Sequence, residues 1–223
     1  MRLNILKTMR LNVLITILFV IHGIYCAAQN FAGESKTIMM YKEFQPALIE
    51  LYNGNVIKER NVNVFLKNGA LLYKSRNSKI MQANMRNIKS VRFADREYIR
   101  IDTLLAYVVD TIGSNRLLCA TLIDIDSYNA QLTNSQLLTS LDLSGNYVNT
   151  TSLDNIVSDE NKSYPLVNHF FFEINNKIIH VHEREISKIL PRDKRRIFKT
   201  IINTPQFDFG NTECLKRILK ELW

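Results

Sequence analysis

The chain has 223 residues, a mass of 25.9 kDa and a formal net charge of +8, from 29 Lys+Arg against 21 Asp+Glu. With 46% hydrophobic and 22% charged residues it is neither a disordered tail nor a membrane bundle, and seven Gly and four Pro exclude a collagen-like or linker-like polymer. Three Cys exclude a disulfide-dense miniprotein, so the length fits one or two domains with a substantial core.

Arg2, Lys7 and Arg10 precede an uncharged, largely apolar stretch from Leu11 to Tyr25 that ends at Cys26-Ala27-Ala28. A basic region, an apolar core and small residues before a cut site make a secretory signal peptide. The run is short for a transmembrane helix of about 20 residues, which leaves an uncleaved anchor as the alternative. Cleavage after Ala28 is expected. Lipidation of Cys26 is the competing reading, and Tyr25 counts against it because a lipidated Cys normally follows a small residue. Met9-Arg-Leu-Asn-Val-Leu echoes Met1-Arg-Leu-Asn-Ile-Leu, so either Met can serve as the start. Losing Arg2, Lys7 and Arg10 lowers the net charge from +8 to +5. The expected location is periplasmic, cell-surface or secreted. Nucleic acid is then an improbable partner, and no later segment is long and apolar enough to span a bilayer.

Residues 29–45 are polar with little periodicity and read as a flexible leader. Residues 46–141 read as an antiparallel β domain. Residues 47–52 and 55–60 flank Asn53-Gly54, and residues 62–66 and 70–74 flank Asn68-Gly69. Asn-Gly between strand-like runs signals a hairpin, because a type I′ turn needs positive φ at both central residues. Strands are further expected over 79–83, 88–93, 97–102, 104–109 and 116–123, with a turn at Gly113-Ser114-Asn115. Spacing of this kind suits an antiparallel barrel or roll. Residues 127–140 read as a short helix.

Residues 142–164, rich in Asn, Ser, Thr and Asp, read as a linker loop. Asn149 and Asn161 match the N-glycosylation pattern. Residues 165–223 read as a hairpin followed by helices. The hairpin turns at Asn175-Asn176, and one helix follows Pro191, with Ile197, Phe198, Ile201 and Ile202 at one-turn spacing. Asn211 can cap a last helix that carries Leu215, Ile218, Leu219 and Leu222 as an apolar stripe. The expected fold class is α+β: an antiparallel meander, a hairpin and C-terminal helices.

Five groups of residues are candidates for chemistry. His180 and His182, two apart in a strand, share a face and can approach one metal ion, with His169, Glu183 or Glu185 as further ligands. Zinc needs three or four such ligands, so solvent-facing histidines are the simpler reading. Arg192, Lys194, Arg195, Arg196 and Lys199 can meet the phosphates of lipid headgroups or acidic glycans, or form the solvated face of an amphipathic helix. Asp95 and Glu97, with Tyr98 and Arg100, can be an acid–base carboxylate pair only within a cleft that separates their pKa values. Tyr41, Phe44, Tyr52, Phe65, Tyr73, Phe93 and Tyr98 can line a glycan-stacking face or pack as β-core. Cys119 and Cys214 are permitted to pair outside the cytosol, which would add about 4–5 kcal/mol by loop-closure entropy; two buried thiols are the alternative. Cys119 as a nucleophile would need a base and access, whereas its neighbours Leu117, Leu118 and Leu122 suggest burial. No nucleophile elbow, zincin helix, phosphate loop or Cys-x-x-Cys is present, and no cofactor is expected.

The signal ending in Ala-Ala-Gln, Tyr41-Lys-Glu-Phe-Gln-Pro-Ala47, Asn68-Gly-Ala-Leu-Leu-Tyr73, Val91-Arg-Phe-Ala-Asp-Arg-Glu-Tyr98 and the segment Ile178 to Trp223 resemble exported envelope proteins of the Bacteroidota. The resemblance implies an envelope location and brings no functional residue with it. In that lineage Asp102-Thr103-Leu104 and Asp110-Thr111-Ile112 look like the pattern used for O-glycosylation, although both fall in expected strands. The leading expectation is a non-catalytic protein that binds or scaffolds envelope proteins, lipids or glycans. A hydrolase or metal enzyme using His180 and His182 is one alternative, and a lipid- or glycan-associated module using residues 192–199 is another.

Overall fold

The computed structural model describes residues 31–134 and 163–223. The signal, Cys26, Asn149 and Asn161 lie outside them.

Hydrogen bonding begins with local hairpins. Strands β2 (Gln45–Leu51) and β3 (Val56–Val64) pair antiparallel, and β4 (Leu71–Lys74) and β5 (Ile80–Gln82) extend the same side. A second series, β6 (Ile88–Arg92), β7 (Glu97–Ile101), β8 (Leu104–Ile112) and β9 (Asn115–Ile123), also pairs neighbour to neighbour. The two series join where β6 pairs with β2. Past β9 comes β10 (Tyr164–Ile174). Its outer edge is shared end to end by β1 (Phe31–Ser35), pairing near Tyr164–Val167, and β11 (Lys177–His180), pairing near Phe171–Ile174. The result is one open antiparallel sheet of eleven strands with helices beside it, an α+β arrangement.

Two expectations need correction. Part of the segment read as a flexible leader is strand β1, and Met39 bridges Phe65. Phe31-Ala-Gly-Glu-Ser35 has no strand alternation; its order comes from a partner strand some 130 residues away. The linker reading also ran up to residue 164, whereas β10 begins at Tyr164, and β10 lies in the same sheet as β2–β9.

The hairpins show which residue sets each turn. At Tyr52-Asn53-Gly54 the Gly54 N–H donates to Leu51 O (3.0 Å) and the Leu51 N–H to Asn55 O (2.9 Å). Only Gly54 has positive φ (84°) there, so the loop has three residues and is not the expected type I′ turn. Asn175 and Asn176 are instead both positive (50° and 63°), which makes their two-residue turn the type I′ one.

The sheet curls strongly. Gly69 O accepts from the Leu105 N–H (2.8 Å) and Leu66 O from the Ile123 N–H (2.8 Å), so the β3–β4 turn touches strands far from it in the sheet order. Inside the curl Val62, Val64, Leu71, Val91, Tyr98 and Leu105 form one core. Over β8–β10 the inward side chains Leu117, Cys119, Phe170 and Phe172 meet α2 (Glu183–Ile189), α3 (Arg192–Ile202) and α4 (Thr212–Leu222) through Ile186, Phe198, Ile201, Leu215 and Leu219. Apolar residues every three or four positions give α3 and α4 one buried stripe each. Helix α1 (Ile125–Asn134) packs by Tyr128 on Tyr164. Among the described residues no helix is long and apolar enough to cross a membrane.

Candidate functional site

Helix α3 starts after Pro191 and turns Phe198 and Ile201 inward. Its five cations then divide by position. The Lys194 ammonium donates to Leu222 O (2.6 Å), closing the carboxyl end of α4, and Arg195 Nε donates to Leu190 O (2.8 Å). Both bonds satisfy carbonyls left open at the ends of helical segments, so these two residues serve the fold. Arg192, Arg196 and Lys199, spaced i, i+4 and i+7, form an exposed stripe. The described residues make seven ion pairs, and none involves this stripe. Ile189 and Ile197, on α2 and α3, are 44% and 43% exposed.

The histidines do not converge. His182 is the cap of α2, and its Nδ1 accepts the Arg184 N–H at 3.3 Å. His180 lies opposite Phe171 and meets it edge to face at 5.1 Å. Among the described residues no cluster of three or more metal-ligating side chains forms. His169 is half-buried, and desolvation lowers its pKa, aided by the nearby His180 and opposed by Asp124.

Asp95 and Glu97 separate as well. Asp95 pairs with Arg96 (3.1 Å) and accepts the Tyr41 hydroxyl (2.8 Å), while Glu97 pairs with Arg92 (3.1 Å). Each carboxylate thus has its own arginine. The aromatic residues form a ladder inside the curl: Tyr41 to Phe93 at 4.8 Å, Phe93 to Tyr98 at 5.6 Å and Tyr98 to Tyr107 at 6.1 Å. The Arg96 guanidinium lies 5.0 Å from the centre of the Tyr107 ring. Burial raises the pKa values of Tyr41, Tyr98 and Tyr107, so all three remain neutral phenols. The Tyr98 hydroxyl is buried without a hydrogen-bond partner of good geometry among the described residues, although Tyr41 and Arg96 are close enough to influence its ionisation. Of the aromatics proposed as a glycan face, Tyr52 is well exposed (57%), stacked with Arg100. Sequence reasoning placed Arg96 in the charged turn between Asp95 and Glu97 without giving it a role, and did not single out Tyr107. Tyr107 lies in the continuous apolar run 104–109, and only the pairing of β8 with β9 sets it directly across from Cys119.

Cys119 and Cys214 are free thiols, which corrects the pairing weighed from sequence. Cys119 is fully buried, and burial pushes its thiol up to about 11, so the nucleophilic thiolate is disfavoured. Cys214 Sγ contacts Gln206 O at 3.7 Å. Thr103 and Thr111 are both exposed, and Thr103 lies in the β7–β8 turn and not within a strand.

An open cleft of about 410 Å³ lies between the end of β8 and α4. Asp110, Glu213, Lys216, Arg217, Lys220 and Glu221 line it around Ile112. Lys216 is paired with Glu213 (2.8 Å), which together with Asp110 raises its pKa, and Arg217 is paired with Glu221 (2.6 Å). These charges largely neutralise one another, unlike those of α3. No family model, curated protein or solved structure matches the chain.

Proposed function

We propose that the protein is an exported, non-catalytic binding protein of the cell envelope that meets an anionic component, a lipid headgroup or acidic glycan, through the exposed face of α3. The observation that carries this reading is the division of labour on that helix. Lys194 and Arg195 are spent on carbonyls, while Arg192, Arg196 and Lys199 remain together, solvent-facing and without carboxylate partners among the described residues. Exposed Ile189 and Ile197 add apolar area beside the charge. Each cation at an anionic surface contributes about 1 kcal/mol, so three contribute about 3 kcal/mol, on the order of a hundredfold in partitioning.

The groups that sequence offers for catalysis have structural employment: His182 caps, His180 packs against Phe171, Cys119 is a buried neutral thiol, and Asp95 and Glu97 are held by separate arginines. Liposome flotation across a salt series tests the proposal. Vesicles with anionic lipid should retain the protein at low salt and release it as screening grows, whereas zwitterionic vesicles should not retain it. Vesicle binding indifferent to lipid charge would refute it.

A further inference from the structure

The β2–β3 hairpin carries four of the seven exposed large apolar side chains among the described residues: Leu48 (40%), Tyr52 (57%), Val56 (62%) and Ile57 (45%). It also carries an unfinished edge. Strand β3 runs from Val56 to Val64, yet β4 pairs only with Val62, Asn63 and Val64. From Val56 to Asn61 the far side of β3 has no strand beside it among the described residues.

Which backbone groups are open follows from the hairpin. The Leu51 N–H donates to Asn55 O, so Leu51 and Asn55 form a hydrogen-bonded pair. Antiparallel pairs alternate, which makes Ile49–Ile57 and Ala47–Glu59 hydrogen-bonded pairs and leaves Glu50–Val56 and Leu48–Lys58 as the others. In those others the N–H and C=O point away from the partner. The donors and acceptors of Val56 and Lys58 therefore face the empty edge. The Arg60 N–H is taken up locally by Glu59 Oε1 at 2.8 Å.

Charge decides what suits this edge. Lys58 and Arg60 are exposed and enter no ion pair among the described residues. Glu59, the sole carboxylate of the stretch, turns back onto its own backbone, and nearby Glu50 is held by Lys89 at 2.7 Å and by Ser90. A second copy laid across the same edge would crowd four cations, Lys58 and Arg60 of each copy, onto one face of a short ribbon, with the Glu59 carboxylates on the opposite face. Like charges across strands destabilise the pairing, and opposite charges stabilise it.

We infer that the edge of β3 from Val56 to Arg60 accepts an extended, acidic segment of a partner polypeptide by strand addition. Backbone bonds to Val56 and Lys58 supply adhesion, an acidic residue opposite Lys58 supplies register, and apolar residues at the alternate positions of the segment cover Ile57 on the other face. This goes beyond the α3 reading and needs no part of it.

The probe is an end-blocked heptapeptide alternating Glu and Val, with a Lys–Val peptide as control, added to the full chain. Because α3 also attracts acidic peptides, the host carries Arg192→Glu, Arg196→Glu and Lys199→Glu. Hydrogen exchange of the Val56 and Lys58 amides should slow on adding the acidic peptide and not the basic one. Lys58→Glu should weaken binding about tenfold by reversing one cross-strand charge pair. Lys58→Pro should abolish it while leaving the β2 ladder intact, since the N–H it removes does not face β2. An acidic peptide carrying N-methyl groups along its pairing edge should fail against the unmutated edge. Unchanged exchange at Val56 and Lys58, equal binding by Lys58→Glu, or concentration-dependent self-association through this edge would overturn the inference.

Discussion

Gly69 is where the curl of the sheet is most sensitive to a single atom. Its φ is 71°, a conformation that costs an L-residue about 1–2 kcal/mol. A Cβ there would lie 2.7 Å from Leu104 Cβ and 3.3 Å from Leu104 Cα. Carbon atoms rest about 3.5–4.0 Å apart, and the obstruction is the root of a strand residue, not the free end of a side chain. The turn must retreat, loosening the Leu105 N–H to Gly69 O bond (2.8 Å), which is worth about 0.5–1.5 kcal/mol. Gly69→Ala should therefore cost about 3–5 kcal/mol once overlap with Leu104 is included. Gly54 is the control: its φ is 84°, but no atom lies within 4 Å of its added Cβ. Gly54→Ala should cost only the conformational part, about 1–2 kcal/mol. Urea unfolding followed by circular dichroism measures both, compared at equal slope. Equal losses in the two variants would show that the β3–β4 turn does not press on β8 as described.

Asp124 receives the Ser127 N–H (3.1 Å) and hydroxyl (2.6 Å) at the start of α1, and the Ser127 hydroxyl is the main reason its pKa lies below the ordinary value. Asp124→Ala should cost about 1 kcal/mol in chemical unfolding, and the loss should shrink in acid as the wild-type carboxylate takes up its proton. For His169 the folded pKa is depressed, so the unfolded chain protonates first on acidification. Its contribution is whole above the unfolded value near 6.5 and is lost as pH falls from there through the folded value; His169→Gln should flatten the stability profile over that window, and an unchanged slope would refute the assignment. A thiol reagent should label Cys214 well before Cys119 in the native protein, and comparable rates would contradict the buried position of Cys119.

Local signals carried the strand-rich half well, since a glycine turn or an alternating strand is written in adjacent residues. Both Asn-Gly pairs lie at turns, but only the glycine takes positive φ in each, while Asn175-Asn176 makes the mirror-image turn with two asparagines. The helices after Pro191 and Asn211 were legible from apolar spacing together with Pro191 and the Asn211 cap. Long-range effects were not legible. Strand β1 depends on β10, and the Tyr41–Tyr107 ladder depends on cross-strand register. The basic cluster was visible as five cations, but only the arrival of Leu190 and Leu222 carbonyls distinguishes Lys194 and Arg195 from the other three.

The account turns on that distinction, and one comparison addresses it. Flotation with anionic vesicles should lose most of its bound protein in the combined Arg192→Glu, Arg196→Glu, Lys199→Glu variant while the fold, followed by circular dichroism, is retained. A folded triple variant that floats as the wild type does, across the same salt series, would contradict the assignment of α3 as the binding face.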